Sequence, residues 1–300
     1  MPDTFLHNRF RELSVSMEPI DANTPPSLAV LHDIKVIAYD FYGTLFISGV
    51  GDIGIDDGSP DAELFLDVLN QSGVQIHNEQ AGSLGFIIYN EVVDEMISSL
   101  KRSGVEYPEP DIREVWEKVL LRMQTDGLIS YLEKTELYEQ VSVEFEARMN
   151  PVWPMIDVTD TLHHFKSKGI TQGIISNSQF YTPVVLEALT NQTLSELGFD
   201  ENLLNWSYEE KLKKPGLKFY REFLEKLSNF DKTIKPHQVL YIGNDMLKDV
   251  YPAAELGMRT ALFAGDERSL KWRKDDDRCK SLKPDLVITR LSQLVDCVAV

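Results

Sequence analysis

Carboxylate, hydroxyl, amide and amine side chains follow short apolar runs or lie in a loop at four places in this sequence. Gathered at one point of a fold, such groups can perform nucleophilic, acid–base or metal-assisted chemistry. One group alone would say little, because strand-end aspartates and serines commonly act as caps and turn formers. Together the groups indicate one composite site, formed by Asp40 and Thr44 in "DFYGT", Ser176 and Asn177 in "SNS", Lys214 in "KKP", and Asp245 and Asp249 in "GNDMLKD".

The elements around these residues predict a parallel sheet that would bring them together. From residue 150 onward, helical patterns alternate with short apolar strands such as "ITQGIIS", "QVLYIG", "RTALFA" and "DLVIT". This alternation is typical of α/β folds with helices on both faces of the sheet. The run at 35–40 has the same strand character, so we expect it to join that sheet. Ligands of such sheets bind beyond the carboxyl ends of the strands, where these groups would lie.

A helical pattern occupies residues 61–149. In "PDIREVWEKVLLRM" apolar residues recur at the spacing of an amphipathic helix. The Gly- and Asp-rich run at 48–63 predicts a hinge before these helices. We therefore expect three parts. They are an N-terminal extension at 1–33, an α/β core formed by 34–50 and 151–300, and a helical domain at 51–150 that is inserted in that core.

Composition restricts the class of partner. The chain has 30 Lys and Arg against 48 Asp and Glu, a formal net charge of −18. Such a field repels phosphate backbones and anionic lipid, so we expect no nucleic acid or membrane partner, while a local pocket could still bind a small anionic molecule. No apolar run reaches the roughly 18 residues of a membrane span. Cys279 and Cys297 lack metal-site spacing, and with the charged N-terminus they predict a cytoplasmic protein with reduced thiols.

The order and composition of the four motifs resemble the haloacid dehalogenase (HAD) superfamily. "DFYGT", "SNS", "KKP" and "GNDMLKD" match its four motifs in sequence order, and the resemblance covers about residues 34–300. It implies an α/β fold, with a Rossmann-like parallel sheet core and an inserted α-helical cap domain after the first motif. It also implies a hydrolase.

The resemblance assigns a role to each motif residue. Asp40 would be the nucleophile and would form a covalent aspartyl intermediate. Thr44, Ser176 and Asn177 would hold the transferred group by hydrogen bonds. Lys214 would neutralise charge shared by nucleophile and substrate. The metal ligands would be oxygen atoms, which Mg²⁺ prefers. The carboxylates of Asp40, Asp245 and Asp249 and the backbone carbonyl of Tyr42 would provide them.

Tyr42 departs from the pattern of the HAD phosphatases, most of which carry a second aspartate there as general acid and base. Proton transfer of this kind is worth about 10²–10⁴ in rate, and a tyrosine, with a pKa of about 10, is a poor substitute. The tyrosine form of this motif resembles the L-2-haloacid dehalogenases. Their halide leaving group needs no proton, and they work without a metal.

The acidic fourth motif favours phosphate chemistry over dehalogenation. Asp245 and Asp249 would form an anionic pocket that is costly without a cation, whereas the dehalogenases have neutral residues in this loop. We therefore expect a Mg²⁺-dependent phosphohydrolase that acts on a small phosphorylated metabolite. The alternatives are a metal-independent haloacid dehalogenase and a non-catalytic binding module.

Overall fold

A six-stranded parallel sheet carries most of the motif residues at its strand ends. The computed structural model describes residues 4–50, 61–132 and 134–299. Within these ranges the strands are β1 (Val36–Tyr39), β2 (Phe46–Ser48), β3 (Gln75–Ile76), β4 (Ile129–Ser130), β5 (Val152–Pro154), β6 (Thr171–Ser176), β7 (Phe199–Trp206), β8 (Val239–Gly243), β9 (Arg259–Phe263) and β10 (Leu286–Ile288). The sheet has the order β10–β9–β8–β1–β6–β7, and each neighbouring pair is parallel. The predicted α/β fold with a Rossmann-like sheet is confirmed.

Helices cover both faces of this sheet and fill the stretch between β2 and β5. They are α1 (Phe5–Leu13), α2 (Ala62–Gln71), α3 (Ala81–Arg102), α4 (Ile112–Thr125), α5 (Thr135–Met149), α6 (Val158–Ser167), α7 (Thr182–Thr190), α8 (Leu194–Leu197), α9 (Ser207–Glu210), α10 (Leu217–Phe230), α11 (Tyr251–Glu255) and α12 (Leu294–Cys297). In the described part of the chain, none is both long and apolar enough to span a bilayer.

The central position of β1 explains its continuous apolar run. Val36 and Ala38 belong to the cluster that includes buried side chains of α10, whereas Ile37 and Tyr39 belong to the cluster that includes those of α6. All four side chains are fully buried. A strand covered on both faces needs apolar residues at every position, so it cannot show the alternation of a half-exposed strand.

The helices α2 to α5 surround a second hydrophobic cluster centred on Trp116. The chain leaves the sheet through β2 and returns through β5, and these two strands pair antiparallel. Helix α5 contributes Phe145 to the helical cluster but Val143 and Ala147 to the sheet cluster. The division at 51–150 stays a prediction, and residues 51–60 of the predicted hinge lie outside the described residues.

The N-terminal extension lies against the rest of the molecule. Phe10 of α1 is buried in the sheet cluster, and α1 contacts both α7 and α5. Further along, Ser27 pairs antiparallel with Val287 of β10, and Leu31 pairs with Val298. The sequence predicted an N-terminal extension without assigning it structure, so helix α1 and its packing are additional findings.

Strand β7 was missed by the sequence interpretation. It lies at the edge of the sheet and pairs through one side only, with β6. Its polar stretch, including Glu201 and Asn202, is exposed, whereas Leu203 and Trp206 are buried. An edge strand of this kind has too few consecutive apolar residues to be distinguished from a loop.

Candidate active site

Asp40 lies directly after β1, at the carboxyl edge of the sheet. Its backbone N–H donates to the carbonyl of Ile242 in β8 at 2.8 Å, which continues the strand pairing to this residue. Its carboxylate Oδ1 accepts from the Phe41 N–H at 2.8 Å and from the Ser176 hydroxyl at 2.9 Å. These bonds fix the orientation of one carboxylate oxygen of Asp40, a residue that is only 7% exposed.

Lys214 joins two buried carboxylates. Its Nζ lies 2.7 Å from Asp40 Oδ1 and 2.7 Å from Asp249 Oδ1. Burial lowers the pKa of Lys214, but the charges of Asp249 and Asp40 raise it by more, so the amine stays protonated. The backbone N–H of Lys214 donates to Asn177 Oδ1 at 2.8 Å, which holds the start of the side chain beside the "SNS" loop.

Asp249 accepts further hydrogen bonds from its own loop and from strand β8. Its Oδ2 accepts from the backbone N–H of Asp245 at 2.9 Å, and its Oδ1 lies 3.1 Å from the hydroxyl of Tyr241. Burial raises the pKa of Asp249 to about 6; Lys214 opposes this increase, and the carboxylates of Asp40 and Asp245 add to it. Three carboxylates are therefore close enough to repel one another.

Asp245 is engaged by a residue that the sequence interpretation did not include. Arg273 Nη2 lies 2.7 Å from Asp245 Oδ2, and its Nε lies 3.1 and 3.2 Å from the two carboxylate oxygens. The same carboxylate accepts from the backbone N–H groups of Leu247 and Lys248 at 2.8 and 3.1 Å. The predicted metal ligand thus has an arginine as its partner.

The predicted phosphate-holding hydroxyls form hydrogen bonds within the protein. Thr44 and Ser176 are both fully buried. Thr44 donates to Asn244 Oδ1 at 3.1 Å, and Ser176 donates to Asp40. Asn177 faces the cavity described below. Gly43 allows this close approach, because its φ of +79° is in the left-handed region and a Cβ would come within 2.9 Å of the Asn244 side chain.

Tyr42 does not have the environment of a general base. Its ring packs edge-on against Phe41, and its hydroxyl lies 3.1 Å from the hydroxyl of Thr182. Burial raises the pKa of Tyr42 well above its ordinary value, and the charge of Glu146 adds to that increase. The phenol therefore stays protonated near neutral pH, and Tyr42 is one of the residues that line the cavity.

These groups surround a cavity of about 30 Å³, which has room for only a few water molecules. Acidic and basic side chains face each other across it, and the wall is formed by Asp40, Tyr42, Ser48, Asn177, Lys214, Asn244, Asp245, Lys248, Asp249 and Lys271. The structure thus brings Asp40, Tyr42, Asn177, Lys214, Asp245 and Asp249 to one place, with Ser176 and Thr44 buried directly behind them.

The donor set has the chemistry of a Mg²⁺ site, since carboxylate and carbonyl oxygens are the ligands this ion prefers. Burial raises the pKa of Asp249, the nearby carboxylates of Asp40 and Asp245 add to the increase, and a bound cation would oppose it. The present side-chain positions are not those of a closed metal cage. Within residues 4–50, 61–132 and 134–299, no three acidic, histidine or cysteine side chains converge as metal ligands.

Sequence reasoning missed Tyr241 and Arg273, which contact the site carboxylates, and also Ser48, Lys248 and Lys271 of the cavity wall. Tyr241 precedes the fourth motif in β8, and a polar ring inside a buried strand was a signal that could have been used. Arg273 belongs to the charged run "KWRKDDDR", where nothing marks one basic residue above the others. Only the fold brings this run, which follows β9, beside the loop that follows β8.

A model of the haloacid dehalogenase-like hydrolases matches residues 96–263, which is more than half of the chain. The chain belongs to this family. The matched range contains the motifs "SNS", "KKP" and "GNDMLKD", the first motif precedes it, and the assignment makes the protein a hydrolase. The resemblance found in the sequence is therefore confirmed at the level of family and fold.

Two curated phosphatases are similar to this hydrolase. The glyceraldehyde 3-phosphate phosphatase of Methanocaldococcus jannaschii is 23% identical over 248 residues, which cover 81% of this chain and 94% of that protein. The phospholysine phosphohistidine inorganic pyrophosphate phosphatase of Danio rerio is 29% identical over 89 residues, or 30% of each chain.

Among solved structures, the 2-haloacid dehalogenase from Pseudomonas syringae pv. Tomato DC3000 is similar to this hydrolase with a TM-score of 0.53 and 20% identity. The superposition covers 88% of this chain and 97% of that one. At this identity the likeness concerns the fold alone.

Proposed function

We propose that this hydrolase is a Mg²⁺-dependent phosphohydrolase that acts on a small phosphorylated metabolite through an aspartyl-phosphate on Asp40. The observation that carries the proposal is the position of the Asp40 carboxylate at the cavity wall, 2.7 Å from the Lys214 ammonium. Asp245 and Asp249 face the same cavity. When bound by Asp40, the Tyr42 carbonyl, Asp245 and Asp249, the ion would offset repulsion between a carboxylate and an anionic phosphoryl group.

The residues of this chain would act in two steps. An oxygen of Asp40 attacks phosphorus while the bond from phosphorus to the leaving oxygen breaks. Water then attacks phosphorus, and inorganic phosphate and the Asp40 carboxylate are released. Lys214 would hold the nucleophile and balance charge in both steps, and Ser176 would orient the carboxylate through its hydroxyl. Thr44 and Asn177 would contribute hydrogen bonds to the transferred group.

One curated relative and Tyr42 support the proposed substrate class. A glyceraldehyde 3-phosphate phosphatase among the relatives supports a small phosphate ester as substrate. Because burial raises the pKa of Tyr42 well above its ordinary value, its phenol would be neither a base for water nor an effective proton donor to a leaving group. We therefore propose a preference for leaving groups that depart without a proton, such as those of acyl or aryl phosphates. Residues 51–150 would act as the cap that selects among them.

Hydrolysis of p-nitrophenyl phosphate, measured with Mg²⁺ and with EDTA, tests this proposal. We expect turnover with Mg²⁺, loss of turnover with EDTA, and a fall of about 10³-fold or more in Asp40→Asn. Asp67→Asn is a matched control, since Asp67 is an exposed aspartate of α2 and should leave the rate unchanged. Turnover that persists in Asp40→Asn would refute the aspartyl-phosphate.

A metal-independent dehalogenase is the second candidate, and two observations favour it. Tyr42 supplies no acid, and the Asp245 carboxylate already has a cationic partner in Arg273. Chloride release from 2-chloropropionate that is unaffected by EDTA would support this candidate. A folded protein that shows neither activity would support a binding module instead.

A further inference from the structure

Arg273 holds the Asp245 carboxylate with a geometry that leaves little room for a second cation. Two guanidinium nitrogens contact it, at distances of 2.7 to 3.2 Å, in the two-pronged arrangement that is the strong form of this pair. The carboxylate is 4% exposed, so water competes weakly for it. Both backbone N–H donors contact Oδ1, so Oδ1 has three donors and Oδ2 accepts from two guanidinium nitrogens.

The backbone that carries Arg273 is fixed to the fourth motif. Lys271 accepts from the N–H of Met246 and donates to the carbonyl of Asn244, each at 2.9 Å. These bonds form a short parallel bridge between Lys271 and Asp245. Arg273 follows two residues later with a φ of +49°, a conformation that is uncommon for residues other than glycine. The guanidinium is thereby directed at Asp245 by local backbone geometry.

The Arg273 side chain is partly exposed to solvent. It is 34% exposed, in contrast to the buried carboxylate that it contacts. Rotation of its side-chain torsions would move the charge toward solvent while the bridge at Lys271 stays intact. The contact thus joins a loop that is hydrogen-bonded to the fourth motif with a partly exposed cation.

We propose that Arg273 is a built-in competitor for the divalent cation and sets the affinity of the site for Mg²⁺. The inference rests on the proposed metal site and adds a residue that controls it. A guanidinium and a Mg²⁺ ion at the same carboxylate repel each other, so the ion binds only the population in which Arg273 has withdrawn. The apparent dissociation constant is then the intrinsic constant divided by that fraction.

Calorimetric titration of the substrate-free protein with MgCl₂ tests this inference without an activity assay. Arg273→Gln should bind Mg²⁺ about tenfold or more tightly than the wild type, which corresponds to withdrawal in about a tenth of the molecules or fewer. Arg273→Lys keeps the charge but loses the two-pronged contact, so its affinity should lie between the two.

Lys271→Gln is the control for a general change of charge. Lys271 lies in the same cavity wall and carries the same charge, but its side chain donates to the carbonyl of Arg268. An equal gain in affinity in Lys271→Gln and Arg273→Gln, or no gain in Arg273→Gln, would overturn the inference. If circular dichroism shows that Arg273→Gln is unfolded, Arg273→Lys takes its place. A Mg²⁺ affinity of Arg273→Lys equal to that of the wild type would then overturn the inference.

The result also separates this inference from the proposed function. Tighter Mg²⁺ binding by Arg273→Gln in a protein without phosphatase activity supports the competitor and rejects the phosphohydrolase. Phosphatase activity that needs Mg²⁺, with equal ion affinity in wild type and Arg273→Gln, rejects the competitor alone.

Discussion

The buried charged side chains around Asp40 stabilise one another. Asp40 and Asp249 are both buried, and one ammonium group, that of Lys214, lies 2.7 Å from each. Desolvation makes each charge costly by itself, so the three groups depend on one another. The arrangement places the Asp40 carboxylate at the cavity wall beside an ammonium group.

Replacing Lys214 by Met should therefore destabilise the protein more than the loss of an exposed salt bridge would. We expect a decrease of about 3–5 kcal/mol in the free energy of unfolding, because two buried carboxylates lose their counter-ion. Adding Asp249→Asn to Lys214→Met should restore part of this loss. Urea unfolding measures both values; a decrease below about 1 kcal/mol in the single variant would contradict the coupling.

Tyr42→Phe tests whether the phenol takes part in proton transfer. Since burial keeps the hydroxyl protonated, its removal should change kcat for an aryl phosphate by less than about threefold. The plot of kcat against pH should keep the same rising and falling limbs as that of the wild type. The lost contact with Thr182 should cost only about 1 kcal/mol of stability. A hundredfold fall in kcat, or a missing limb, would assign the hydroxyl a catalytic role.

At the scale of elements, α1 and α5 are connected through a buried charge. Glu144 of α5 has a fully buried side chain and pairs with Arg9 of α1 and with Arg148 one turn later. Burial raises the pKa of Glu144, but hydrogen bonds from Arg9 and Arg148 lower it by more, so it lies below its ordinary value of 4.5. The extension is thus attached by a carboxylate that must stay ionised.

This pair should make part of the stability dependent on pH. The folded protein binds fewer protons at Glu144 than the unfolded chain, so the contribution is complete above pH 4.5 and is lost as the pH falls below it. Glu144→Gln should lose about 1–3 kcal/mol at pH 7 and less near pH 3.5. Urea unfolding at both pH values gives the difference.

Glu12→Gln is a suitable comparison for that experiment. Glu12 also pairs with Arg9, but its side chain is 60% exposed. Its removal should change stability by less than about 1 kcal/mol at either pH. Equal effects of the two substitutions would contradict the view that burial of Glu144 makes the contact important.

At the scale of the whole molecule, the sequence was sufficient to predict elements with strong patterns. The run before Asp40 could be assigned because a central strand is apolar at every position. Strand β7 could not, because its edge position permits a polar middle stretch. Helix α1 was missed because its mean hydropathy is low and its buried face includes Phe10 and His7, which pack against distant parts of the chain.

The candidate site shows the same division between local and distant information. Asp40, Asn177, Lys214 and Asp245 could be predicted together because parallel strands end at one edge. The contact between Arg273 and Asp245 could not, since it depends on a loop after β9 that pairs with the loop after β8. Residues in local motifs could thus be predicted from the sequence. Partners that only the tertiary structure brings close could not.

The central claim is that Asp40 is the nucleophile of phosphoryl transfer. Its most direct test is a single turnover with a radiolabelled aryl phosphate and Mg²⁺, stopped with acid and followed by peptide mapping. We predict label on the peptide that contains Asp40 and none in Asp40→Asn. Phosphate release without label on that peptide at any time of quenching, or label on a different residue, would contradict the claim.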